Sequence, residues 1–150
     1  MLRRLPLVAL LALLLPLAAC DSGEDTPTFD AAFFVGSWSL VSVSDGSGDR
    51  TADVNAAVTS LGATFATDDT FSLDAQFAGG GGQSLQGTYT VVTDQRIVLD
   101  ANGIAPVFDL SPGNNSDQVT LSASSLVLAV ILAGTGLEFD GTASLTIERD

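Results

Sequence analysis

The feature that most constrains this chain is two-residue alternation, repeated in run after run along its C-terminal part. Phe71, Leu73, Ala75 and Phe77 fall on one face of an extended segment, with Thr70, Ser72, Asp74 and Gln76 on the other. Leu85, Gly87, Tyr89 and Val91 likewise oppose Gln86, Thr88 and Thr90, and Ala143, Leu145 and Ile147 oppose Thr142, Ser144 and Thr146. Side chains alternate with this period only in strands; the helical period fits none of these runs. Turn residues separate them. Thr67-Asp68-Asp69-Thr70 and Thr93-Asp94-Gln95 read as hairpin turns, Ser111-Pro112-Gly113-Asn114-Asn115 as a longer turn, and Asp140-Gly141 as a tight one.

Other segments fill in the array. Asp30 is placed to cap one helical turn over residues 31–35, Gly36 ends that turn, and residues 37–44 form the first strand. Residues 54–58 suggest a helical turn over one end. The apolar run 126–133 is too short to span a membrane, and its β-branched Val127, Val130 and Ile131 favour a strand buried on both faces, a short core helix being the other reading. The four glycines 79–82 lack phosphate-loop spacing and read as a flexible link. The sum is an all-β domain over residues 31–150, with eight or nine antiparallel strands and no internal repeat. Such an array must remove its edges. The succession of hairpins favours a small up-and-down barrel; a β-sandwich is the alternative.

The N-terminal part has a different character. Arg3 and Arg4 precede an apolar run over residues 5–17, followed by two small residues and the only cysteine, Cys20. A charged start, a short apolar run and a small-residue site form an export signal, here residues 1–19, and the run is shorter than the ~20 residues of a spanning helix. Leu17-Ala18-Ala19-Cys20 resembles the lipobox of bacterial lipoproteins. The resemblance implies cleavage before Cys20, acylation of its thiol and amine, and a lipid anchor in the cell envelope, with the outer membrane the expected address. Acidic residues after the cysteine resemble surface-export signals of some Gram-negative groups, and Asp21 resembles an inner-membrane retention signal of others, so the leaflet stays open. Residues 20–30 are polar and acidic and read as a flexible tether of about ten residues, reaching roughly 15–20 Å.

After such a cut, three arginines (Arg50, Arg96, Arg149) face eighteen acids, and the chain has no histidine or lysine. This acidic surface repels nucleic acid, which is excluded as a partner. Solvation in a salty medium accounts for acids spread along the chain; cation binding is the alternative. Asp45-x-Ser47-x-Asp49 begins like a calcium loop, but Arg50 stands where the sharp turn needs glycine and Ala56 where the closing glutamate belongs. Asp45, Asp49 and Asp53 are therefore a weak metal candidate only, and no cofactor is expected. With no histidine or lysine, and Cys20 acylated, the common bases and nucleophile–base pairs are missing. The adjacent Asp68 and Asp69 lie at a solvated hairpin tip. The chain is not expected to be an enzyme.

Gly36-Ser37-Trp38 resembles the Gly-x-Trp opening of lipocalins and small bacterial lipocalin-like domains, and residues 87–91 with 97–99 resemble their central hairpin. The resemblance spans residues 33–150. It implies a barrel closed at one end by Trp38, with a basic residue of the last strand packed over the indole. Arg149 has the right position, and its parity with Leu145 and Ile147 points it inward. Adjacent Leu40 and Val41 break the alternation of the first strand, which predicts a bulge or a partly polar interior. Phe65, Phe71, Phe77, Tyr89 and Leu99 are the candidate lining of an apolar pocket. Two functions fit: an envelope lipoprotein binding a small hydrophobic ligand, or a non-catalytic structural or protein-interaction lipoprotein whose barrel is filled by its own side chains. No protein partner is readable.

Overall fold

The computed structural model describes residues 28–133 and 135–150. The signal segment, Cys20 and most of the proposed tether lie outside the described residues. A short helix, α1 (Ala31–Phe34), leads into β1 (Gly36–Asp45), a two-residue strand β2 (Gly48–Asp49), and helix α2 (Thr51–Ala57). Six strands follow as a meander: β3 (Val58–Phe65), β4 (Thr70–Phe77), β5 (Gly82–Thr93), β6 (Arg96–Asp100), β7 (Val107–Pro112) and β8 (Gln118–Ser124). Helix α3 (Ser125–Ile131) and β9 (Thr142–Arg149) complete the chain.

Every neighbouring pair is antiparallel, and β9 returns to pair with β1 from Trp38↔Arg149 to Ser44↔Ser144. The sheet therefore closes on itself as an eight-stranded up-and-down barrel, with β2 an extra flap on β1. Closure removes the free edges and excludes the two-sheet sandwich. The alternation read in the sequence sets the register, as in Phe65↔Phe71 and Leu73↔Leu85, so apolar faces meet inside. The first strand keeps its interior face by a bulge: its pairing with β9 shifts between Leu40 and Ser42. Val41 is thereby turned outward.

Turn chemistry fixes the links. At the β3–β4 link Asp69 adopts a left-handed φ of 62°, and the Asp68 carboxylate accepts from the Thr70 hydroxyl at 2.6 Å. Between β6 and β7, Asn102 and Gly103 have φ of 56° and 80°, and Ala101 and Ile104 exchange backbone hydrogen bonds of 2.9 and 3.0 Å. That is the primed two-residue hairpin favoured by Asn-Gly. Gly87 meets another constraint: a Cβ there would sit 1.9 Å from the carbonyl oxygen of Asp100, so only glycine lets β5 approach β6 at this point.

Two sequence expectations need correction. The apolar run 126–133 is not a buried strand, for Ser125–Ile131 form α3 and Leu126 is 75% exposed. An all-apolar run carries no polar face to reveal its period. Spacings of four place Leu128 and Leu132 in the core, and Leu126 and Val130 in solvent. The ordered body also begins before the tether boundary at residue 30. Phe29 is buried, its ring 4.9 Å edge-on from Phe33. Among the described residues no helix is long and apolar enough to cross a membrane.

Candidate ligand chamber and its closed floor

The barrel has two unlike ends. The floor end holds α1, the start of β1 and the end of β9. Asp30 caps α1 by accepting from the Phe33 amide at 2.8 Å, which fixes Phe33 and Phe34 beneath the barrel. Trp38 is 1% exposed and donates from Nε1 to the Phe34 carbonyl at 2.6 Å. The Arg149 guanidinium carbon lies 5.0 Å from the Trp38 ring centroid and 5.2 Å from that of Phe33. Arg149 Nη2 donates to the Phe33 carbonyl, tying the last strand to α1. Partly buried stacking of this kind stabilises by about 1–2 kcal/mol.

The candidate pocket residues divide between the two ends. Phe65, Phe71 and Tyr89 join the floor cluster: Phe65 packs edge-on against Tyr89 at 5.1 Å and lies 6.2 Å from Phe71. The Tyr89 hydroxyl donates towards Ala66 O at 3.1 Å and Ala31 O at 3.3 Å. Burial, chiefly, raises its pKa, and the nearby carboxylates of Asp69 and Asp68 push the same way. Phe71 and Tyr89 thus build the floor and do not line the chamber described below. Phe77 packs at the other end against the cluster of Val43, Val54, Val58 and Leu128, outside the chamber wall. Only Leu99 faces the chamber itself; Phe65 borders a smaller void beneath it.

At the mouth end α2 and α3 pack over the barrel through Val54, Leu128 and Leu132. Beside α3 lies a chamber of about 370 Å³, between that helix, the Asn102-Gly103 hairpin and the inner faces of β4, β5 and β6. Its wall includes Leu85, Ala101, Ile104, Leu126, Val127 and Val130, and Asn102 is its one polar side chain. Leu73, Leu99, Phe108 and Ile131 border both this chamber and an inner void of about 50 Å³ that reaches Trp38 and Phe65. The two spaces adjoin at these four side chains, the chamber towards the rim and the void towards the floor. An eight-stranded barrel is just wide enough to hold one small ligand. Pockets that hold small molecules span about 300–1,000 Å³.

Sequence reading missed most of this wall. Asn102-Gly103 was a legible hairpin signal and builds the rim; Val127 and Val130 were hidden inside a run assigned to a strand.

The acidic loop Asp45, Asp49 and Asp53 is organised by Arg50. Its Nη1 and Nε each lie 2.8 Å from a carboxylate, of Asp45 and Asp53 respectively, and its guanidinium stacks 5.5 Å from the centroid of Phe139. Asp49 accepts from the Thr51 amide at 2.9 Å. The three carboxylates thus face an arginine and a helix start, not a common centre. Among the described residues no group of three or more metal-ligating side chains converges.

The Ser47 hydroxyl, chiefly, holds the Asp45 carboxyl far below the usual carboxylate range, with help from the amides of Asp140 and Ser47 and from Arg50 and against the effect of burial. The Thr51 hydroxyl and amide lower Asp49 in the same way. A depressed folded-state pKa adds stability that is fully present above the unfolded value of about 3.9 and is lost as pH falls from there through the folded-state value. With no histidine in the chain, the thermal midpoint is expected to be level from about pH 5.5 to 8 and to fall below about pH 4. The measurement belongs in about 1 M salt, where surface repulsion is screened. Asp45→Asn should flatten the acid limb; an unchanged slope would remove Asp45 from the account.

No family model and no curated protein matches the sequence. Among solved structures the chain is similar to a redesigned β-barrel at 14% identity and a TM-score of 0.47, covering 80% of this chain and 94% of that one. It is also similar to the structure of EF1p2_mFAP2b bound to DFHBI, at 14% identity and a TM-score of 0.44, covering 80% of this chain and 96% of that one. The chain's own strand order, closed by the β1–β9 pairing, is what makes it an antiparallel barrel with a sealed floor and an open mouth.

Proposed function

We propose that this protein is a lipid-anchored envelope barrel that binds a small hydrophobic molecule. The observation that carries the binding is the apolar chamber of about 370 Å³ opening beside α3. The floor is filled by the protein's own aromatics, so the self-filled alternative describes that half of the barrel; the mouth half is where a ligand fits. The anchor rests on the resemblance of residues 17–20 to a lipobox. The described chain enters at the floor, through Phe29 and α1, so a tether from Cys20 would leave the mouth at the far end, facing away from the attachment point.

The test is uptake of an environment-sensitive apolar dye by the full-length protein, together with native mass spectrometry for co-purifying small molecules. Saturable uptake is expected in the wild type. Val127→Trp, which fills the chamber from α3, should abolish it while leaving the circular dichroism spectrum unchanged. Absence of uptake in the wild type, or uptake that survives Val127→Trp, would overturn the chamber as the site.

A further inference from the structure

The chamber's electrostatics narrow what it can hold. Its wall carries no charged side chain. Among the described residues no cation stands at its rim either, because the chain has no lysine or histidine and each described arginine is engaged elsewhere. Arg149 lies under Trp38 at the floor. Arg96 begins β6 at that same end and pairs with Asp109 at 2.9 Å. Arg50 is held between Asp45 and Asp53. The formal net charge is −13, so an anion approaching the mouth meets repulsion. A carboxylate drawn into the chamber would be desolvated with no positive partner. An uncharged head needs neither, and the Asn102 amide can meet it with a hydrogen bond.

We propose that the chamber selects uncharged apolar molecules and rejects their carboxylate analogues. Fatty-acid anions are thus disfavoured as ligands, and neutral lipids or alcohol- and ester-headed hydrocarbons are the class it takes. This rests on the chamber being the binding site, as proposed above.

The experiment is dye displacement from the full-length protein by dodecanol, methyl dodecanoate and dodecanoate at pH 8. The two neutral compounds are expected to displace the dye, with dodecanoate weaker by about tenfold or more. Ile104 is 64% exposed on the rim, so Ile104→Lys can place a cation there without disturbing the core. That variant should narrow the gap to about threefold or less, and Ile104→Gln, which loses the same apolar contact without adding charge, should not. Equal displacement by all three compounds, or a gap that Ile104→Lys leaves untouched, would overturn the selectivity while the chamber reading stands. Failure of all three to displace the dye would overturn both.

Discussion

Replacement of Trp38 by alanine is expected to destabilise the protein by about 4 kcal/mol, the scale of an aromatic removed from a packed core. The indole is 1% exposed. Its ring lies 5.4 Å from Phe33 and 6.1 Å from Phe34, and the Arg149 guanidinium stacks on it at 5.0 Å. Truncation leaves a cavity under the barrel, strips the cation of one ring, and leaves the Phe34 carbonyl without its donor at 2.6 Å. A protein of this size has only about 5–15 kcal/mol of stability in total, so such a loss is a large share of it. Trp38→Phe separates the contributions: it keeps most of the ring and loses the hydrogen bond, at an expected cost of about 1–2 kcal/mol. Urea unfolding of both variants measures the difference. A loss below about 1 kcal/mol for the alanine variant would mean that the floor is not a keystone of the barrel.

The same residues show why parts of this structure could be read from the sequence. Trp38 and Arg149 lie at opposite ends of the described chain, yet parity alone brings them to one face, because alternation carries each side chain's direction along its strand. Closure then follows from the need to remove edges, and the β1–β9 pairing places the two residues directly opposite. The bulge at Val41 was legible for the same reason: adjacent Leu40 and Val41 break the alternation, and the register shift between Leu40 and Ser42 returns Val43 to the inner face while Val41 points outward.

What failed to read was anything lacking a two-residue period. In the run from Leu126 to Leu132 every residue is apolar, so neither period stands out, and β-branched content favoured the wrong element. Tertiary packing decided it: α3 spans from β8 towards the loop before β9, and the helical spacing of Leu128 and Leu132 anchors it. The division of aromatics between floor and chamber was also illegible. Phe71 and Leu73 share a face, but only their height in the barrel places the first in the floor and the second in the chamber wall.

That anchoring leads to the second large effect. Leu128→Ala is expected to cost about 3 kcal/mol, within the range for a buried leucine reduced to alanine. Leu128 is 1% exposed and sits in the cluster with Val43, Val54 and Ala143, while Leu126, two residues away, faces solvent. The helix has only seven residues, so its own hydrogen bonds hold it weakly and its docking through Leu128 and Leu132 decides whether it forms. Part of the loss should therefore appear as local opening. Amides across α3 are expected to exchange faster with solvent in Leu128→Ala, while those of β3 and β4 keep their order of protection. Dye affinity should fall in parallel, because Val127 and Ile131 on the same helix form one wall of the chamber. Leu126→Ala is the matched control for stability and exchange, since Leu126 is 75% exposed, and should stay within about 0.5 kcal/mol of the wild type. If the two variants behave alike in stability and in exchange, α3 is not held by its buried leucines. The chamber would then have no fixed wall on that side, and its volume could not select a ligand.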